Sequence, residues 1–354
     1  MPKVSTRALL GAVTLAVAVA LSGCAADEPT RSAGSGQLNG VDVGDLTLRV
    51  GIFTDQTRAQ TELTDFFKDT PYQIEWARLN GAGPTVQALY GNAIDLSLGL
   101  SDTATPKAAA EAKEPWTKEN APFKIVALLK PYDAEKYPST IIAANKAANI
   151  NSLADLRGKS YTYNEGGNAN ASALLALYKA GLTKQDVNVQ LLQSDSIASA
   201  IMSGAVQAGA TSVGKVAPAL ADGTVKQIAT AEEVGFPDYV SVTARTAALA
   251  DPKLDAAIGD FISRATKYHK WSAEHPEEVA KSYETTQQLT PEQGLQAAHS
   301  DAKRIIPVGP TDPGTKVEDD LAGLLVKAGF LLKPIDIKQF LDGRYSAQIN
   351  AAST

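Results

Sequence analysis

From residue 46 to residue 244 the chain alternates short apolar strand patterns with stretches of helical spacing, and this regularity constrains the fold more than any other feature. Residues 46–53 (LTLRVGIF) alternate apolar and polar side chains, the period of a half-buried strand. Helical spacing follows over 59–68, a strand over 72–79, a helix over 85–90 opened by Gly83-Pro84, and a strand over 94–98. An Ala-rich helix is expected over 107–113, then strands over 123–130 and 140–144. A second block repeats the style, with helices over 153–157, 171–180, 197–203 and 216–221 and strands over 160–163, 187–192, 208–211 and 225–230. A last strand over 239–244 ends the alternation, and the rest reads as mostly helical. Such alternation predicts an α/β architecture with largely parallel sheets. Two blocks and a helical tail predict two lobes, with crossings near 141–146 and 239–245. Residues 46–142 plus 241–354 are assigned to lobe 1 and residues 143–240 to lobe 2. A cleft between lobes is a favoured place for a small ligand, because loops from the strand ends converge there.

The N-terminus reads as an export signal over 1–23. Lys3 and Arg7 precede an apolar run over 8–21, and small residues close it before the chain's only cysteine, Cys24. The run is shorter than the roughly 18–20 residues a spanning helix needs. Leu21-Ser22-Gly23-Cys24 resembles the lipobox of bacterial lipoproteins, which implies cleavage before Cys24 and lipid attachment to its thiol. An ordinary cleaved signal would leave the position of that cysteine unexplained. Either way the body lies outside the cytoplasm, and the lipid would tie it to the membrane. Residues 24–45 are small, polar and Gly/Ser-rich, and are read as a flexible tether.

Composition removes several function classes. The net charge is −6, with both signs interspersed and no basic stripe, so nucleic acid is not an expected partner. A single cysteine allows no internal disulfide and no cysteine-based metal cluster. The three histidines, His269, His275 and His299, match no zinc spacing and are read as solvated helix-face residues. No cofactor or metal is expected. No Gly-x-Ser-x-Gly, Ser-x-x-Lys or His-Glu-x-x-His motif is present, and no catalytic residue is assigned.

Four places carry polar groups where strands end. Thr54-Asp55-Gln56 follows the first strand, and Ser101-Asp102-Thr103 follows the apolar stretch 94–100. The hydroxyls there can either cap the next helix or contact a ligand. Glu165-Gly166-Gly167-Asn168-Ala169-Asn170 lies between a strand and a helix, where glycines let backbone approach a ligand and a helix N-terminus favours negative charge. Arg245 ends the strand over 239–244, where its guanidinium either clamps an anionic group or serves the structure.

The order of these segments resembles the solute-binding proteins of ABC importers for aliphatic sulfonates, taurine and nitrate, a group that includes thiamine-precursor binders. The resemblance runs from about residue 46 to residue 345. It rests on Gly83-Pro84 with Val86-Gln87-Ala88-Leu89, Ile94-Asp95 and Ser101-Asp102-Thr103. It continues with Ile150-Asn151-Ser152-Leu153-Ala154-Asp155-Leu156-Arg157-Gly158-Lys159, Lys179-Ala180-Gly181-Leu182-Thr183 and Ser203-Gly204-Ala205-Val206-Gln207-Ala208. The resemblance implies a two-lobed type II periplasmic-binding-protein-like fold with a ligand cleft between lobes, and permease and ATPase subunits as partners. It implies ligand contacts from Gln56, Ser101, Asp102, Thr103, Gly167, Asn168, Asn170 and Arg245. Ala210-Thr211-Ser212-Val213-Gly214 stands where sulfonate binders often carry a Trp-rich strand, and Gly167-Asn168-Ala169-Asn170 replaces a Ser-rich helix start. The expected ligand is therefore a small organic anion or zwitterion. An extracytoplasmic enzyme of the thiamine-precursor type, whose cysteine-rich motif is missing here, and a ligand-binding sensor subunit are the alternatives.

Overall fold

The computed structural model describes residues 36–354. The expected signal segment and Cys24 lie outside the described residues. The expected tether is folded from residue 36 onward: β1 (Gln37–Leu38) and β2 (Val41–Asp42) pair as a small hairpin. Val43 is fully buried beyond it, so apolar anchoring at one valine outweighs the polar composition around it.

The first lobe begins with β3 (Thr47–Ile52), α1 (Asp55–Thr61), β4 (Gln73–Arg78) and α2 (Ala82–Tyr90). It continues with β5 (Leu96–Ser101), α3 (Ala104–Glu111) and β6 (Phe123–Pro131). The chain then crosses to the second lobe through β7 (Thr140–Asn145), followed by β8 (Ser160–Tyr163), α4 (Asn168–Lys179) and β9 (Asn188–Leu191). α5 (Ser194–Met202), β10 (Ala208–Ser212), α6 (Val213–Ala221) and β11 (Val225–Thr230) complete it. The return is made by β12 (Val240–Arg245), leading into α7 (Thr246–Ala250) and α8 (Pro252–Glu274). α9 (Pro276–Gln287), α10 (Pro291–Asp301), β13 (Lys303–Ile306), α11 (Pro313–Lys327) and α12 (Ser346–Ser353) finish the chain.

Two sheets result, a six-stranded one ordered β13-β6-β12-β5-β3-β4 and a five-stranded one ordered β11-β7-β10-β8-β9. Both are mixed, which corrects the expectation of largely parallel sheets. The parallel part of each is three strands, β4-β3-β5 in one and β9-β8-β10 in the other. The crossing strands supply the antiparallel pairs. β7 enters the second sheet between β11 and β10, and β12 enters the first between β6 and β5, each against its neighbours.

The helical tail covers the first sheet. Asp251 caps the 23-residue α8 by accepting from Lys253 N and Leu254 N, and Pro252 occupies its first turn. Ala257, Ile258, Phe261, Ile262 and Ala265 then recur at helical spacing and bury against Val126, Leu129, Val242 and Ile305. Full burial of a side chain such as Phe261 contributes about 1.5–3 kcal/mol. In the second lobe Ala171, Leu174 and Leu175 of α4 pack in the cluster that holds Ile142 and Ala210. The histidines are partly solvated, with the His275 side chain 43% exposed. His275 stacks on Trp271 and His299 on Tyr137, and burial pushes His269 down to about 3 with a further contribution from Lys303. Among the described residues no helix is long and apolar enough to cross a membrane, and no cluster of His, Cys, Asp and Glu could hold a metal ion.

Candidate functional site

Four helices aim their N-termini into one cleft between the lobes. α2 starts there at Gly81-Ala82, α4 at Gly167-Asn168, α5 at Ser194-Asp195 and α6 after Ser212. None of these starts has a side-chain cap: Gly81 and Gly167 have none to offer, and Gln193 and Ser212 make no capping hydrogen bond. The first backbone N–H groups of a helix have no partner within it, and each start carries roughly half a positive charge. Uncapped starts converging on one space form a receptor for an anionic group. Gly81 sits at φ +101°, a conformation that β-carbons disfavour, and so lets α2 begin at the cleft wall. At Gly167 the lobes touch: an added Cβ would lie 3.2 Å from Ser101 Oγ.

The cleft encloses about 290 Å³. Its side chains come from both lobes and both crossings. Asn80 of the first lobe donates to Asp195 Oδ2 of the second at 2.9 Å. Lys215 directs its donors at Ser194 O, Ser194 Oγ and Asp195 Oδ1, at 3.1–3.2 Å. Lys303, at the start of β13, also lines the cleft, yet among the described residues it has no carboxylate within 4 Å and no hydrogen bond. It is therefore the cleft cation left available to a ligand. Asp238 lies on the second crossing and accepts from Thr140 Oγ1 at 3.0 Å. Burial pushes Asp238 up to about 6, against the opposing pull of Lys303.

A second, deeper layer is made of acids. Asp102 is fully buried, and neither carboxylate oxygen has a partner among the described residues. Burial, with the charges of Glu318 and Asp238, raises it well above the ordinary range. Burial also pushes Glu318 of α11 up to about 8.

The structure brings Ser101, Gly167 and Asn168 into the cleft wall and puts the other expected residues elsewhere. Asn168 bridges the lobes: its Nδ2 donates to Tyr239 O at 2.6 Å, and its Oδ1 accepts from Thr103 Oγ1 at 3.4 Å. Thr103 thus positions Asn168 from behind. Asn170 accepts from Gly166 N at 3.1 Å and closes its own loop. Gln56 is buried in α1, where it donates to Ser282 Oγ at 2.7 Å and accepts from Thr286, fastening α1 to α9.

Arg245 corrects the expectation most sharply. Its donors are taken by Ile94 O (2.8 Å), Asn92 Oδ1 (3.0 Å) and Asp95 Oδ1 (2.6 Å). The cause is strand direction. β12 runs antiparallel to β5, with Val240 opposite Ser101 and Ala244 opposite Leu96, so its C-terminal end lies at the sheet end away from the cleft. Lys303 holds the place expected of Arg245, because β13 pairs with β6 at Pro131, the cleft end. The signal for β13 was Ile305-Ile306-Pro307, a β-branched pair before a breaker inside a tail read as helical.

Residues 112–279 match the family described as NMT1/THI5 like. No curated protein sequence matches the chain. Among solved structures, the chain is similar to the alkanesulfonate-binding protein SsuA from Xanthomonas axonopodis pv. citri bound to MOPS. The identity is 18%, over 84% of this chain and 98% of that one, with a TM-score of 0.69. The periplasmic aliphatic sulphonate binding protein SsuA from Escherichia coli is 20% identical over 83% of this chain and 91% of its own, at a TM-score of 0.64. The desulfurization enzyme DSZB is 12% identical over 86% of this chain and 98% of its own, at a TM-score of 0.56. The fold is thus the two-lobed α/β fold of periplasmic binding proteins.

Proposed function

We propose that this chain, whose residues 112–279 form an NMT1/THI5-like domain, is the extracytoplasmic solute-binding component of an ABC importer. Its ligand is a small organic anion or zwitterion, of the sulfonate, taurine-like or related nitrogen- or sulfur-containing kind. The observation that carries this reading is the convergence of four uncapped helix starts and the unpaired Lys303 on one cleft. Asp301 and Asp238 line the same space, so an amine on the ligand would find a carboxylate. Likeness to sulfonate-binding proteins supports the ligand class.

The role is capture without turnover. A serine and a lysine do meet in the cleft, Ser194 and Lys215, as a nucleophile and base would. The lysine also reaches Ser194 O and Asp195 Oδ1, at 3.1–3.2 Å, contacts that tie it to the start of α5. The fold is shared with a desulfurization enzyme, so turnover is the outcome that would reassign the chain.

Lipid on Cys24 would hold the protein at the outer face of the membrane beside its permease and ATPase subunits. Incorporation of labelled fatty acid into the chain, lost in Cys24→Ser, tests the anchor. The binding role is tested by thermal unfolding of protein refolded free of carried-over ligand, against alkanesulfonates, taurine, nitrate, thiamine precursors and dicarboxylates. A ligand at 100 times its Kd adds about 2.7 kcal/mol of stability. A stabilising compound recovered unchanged supports the reading; conversion of that compound, or no stabilisation by any of them, contradicts it.

A further inference from the structure

A second cavity, of about 630 Å³, lies on the first lobe and shares no lining residue with the cleft. It opens around the edge strand β13, between the C-terminal half of α8, the start of α11 and the end of α12. We propose that it is a binding site for a phosphate-class anion, independent of whatever the cleft binds.

The argument starts from register. Arg304 on β13 stands directly opposite Lys130 on β6, so both side chains project from the same face at neighbouring positions. Like charges directly opposed across a strand pair repel, and a sequence normally relieves this with a carboxylate. Here neither cation has a carboxylate within 4 Å or a hydrogen bond among the described residues. Both line the cavity.

The opposite wall adds a third donor group. The 15-residue α11 begins in the cavity at Pro313-Gly314. Its cap residue Asp312 makes no capping bond, because its carboxylate is turned to Gly309 N (2.5 Å) and Ser346 Oγ (3.2 Å). Pro313 has no N–H and Thr315 N donates to Asp312 O at 3.1 Å, so Gly314 N is the N–H of that start left for a ligand, beside the helix's partial positive charge. Lys270 is already used, donating to Thr354 O at 2.7 Å, and Glu274 is an exposed carboxylate at the rim. Tyr132 and Tyr239 give the walls their flat apolar surface.

A guanidinium, an ammonium and a helix start suit a compact group with several oxygens and two negative charges. A phosphate neutralises the opposed pair; a monoanion leaves one charge unanswered. The phosphate could be carried by a soluble compound or by a lipid headgroup at the membrane surface.

The test is equilibrium dialysis of the whole chain against labelled inorganic phosphate, paired with flotation on vesicles of phosphatidylcholine with or without phosphatidic acid, whose phosphomonoester can carry two charges. Lys130→Gln with Arg304→Gln should lower phosphate affinity at least tenfold with the melting temperature equal or higher, since the opposed charges are gone, while Lys303→Gln leaves that affinity intact. Flotation on phosphatidic acid vesicles that is lost in the double variant would assign a lipid headgroup, and phosphate binding without flotation a soluble compound. Failure of the wild-type chain to bind either probe, binding unchanged in the double variant, or binding abolished by Lys303→Gln would overturn the site. The last result would place the phosphate in the cleft and leave the reading of the cleft standing.

Discussion

Arg245 and Asp95 form a buried ion pair, Nη2 to Oδ1 2.6 Å, at the end of the six-stranded sheet remote from the cleft. Arg49 closes on the same carboxylate with Nε and Nη2, at 3.0 and 2.6 Å. Burial alone would raise Asp95, and the hydrogen bonds from Arg49 and then Arg245 overcome it and hold the group below its ordinary value. The pair ties β12, the returning crossing strand, to the loop before β5.

Arg245→Ala therefore tests stability. Arg49 keeps the Asp95 carboxylate paired, so losing Arg245 costs less than an unpaired buried charge would, about 1.5–3 kcal/mol. Urea unfolding should show that loss, while the folded fraction binds the cleft ligand with unchanged affinity. A fall in affinity without a fall in stability would return Arg245 to the ligand site.

Lys303→Gln tests the cleft. With no ion pair or hydrogen bond to lose and only its longer-range pull on Asp238 removed, the substitution should shift the melting temperature little. Calorimetric affinity for an anionic ligand should fall at least tenfold, about 1.4 kcal/mol. Equal affinity in the variant would remove Lys303 from recognition.

Glu318→Gln tests the buried acids. Glu318 is raised in the folded chain, so its contribution is fully present below the ordinary carboxylate value and is lost as pH rises through about 8. The amide imitates the protonated acid. The variant should melt higher than wild type at pH 8.5 and close to it at pH 4, with a flatter dependence between. A variant less stable at pH 8.5 would show that the carboxylate is ionised and held by a partner.

Asn80→Ala tests the contact between lobes. Asn80 donates to Asp195 across the mouth of the cleft, and a hydrogen bond of this kind is worth about 0.5–1.5 kcal/mol. If the ligand is held by the closed form, affinity should fall roughly two- to twelvefold through faster release. Unchanged release rates would mean that the contact does not report closure.

The α/β class and the two lobes are legible in the alternation of patterns, because period 2 and period 3.6 survive in half-buried elements. The glycine-led helix start near residue 167 is legible for the same local reason, whereas α2 starts at Gly81, two residues before the Gly83-Pro84 read as its opening. Strand direction is not local. Nothing around Arg245 says that β12 runs antiparallel to β5, and that direction alone carries the guanidinium away from the cleft. Lys303 is hidden because β13 has only four residues and sits among helices. Gln56 shows a third limit: its partners Ser282 and Thr286 are more than 220 positions away in the chain.

The most direct measurement is the change in backbone amide resonances of the whole chain on titration with the sulfonates, taurine, nitrate and precursors named above. The account predicts saturable shifts concentrated at the starts of α2, α4, α5 and α6, with the amides around Arg245 unmoved. Saturable binding that leaves those four helix starts undisturbed would contradict it.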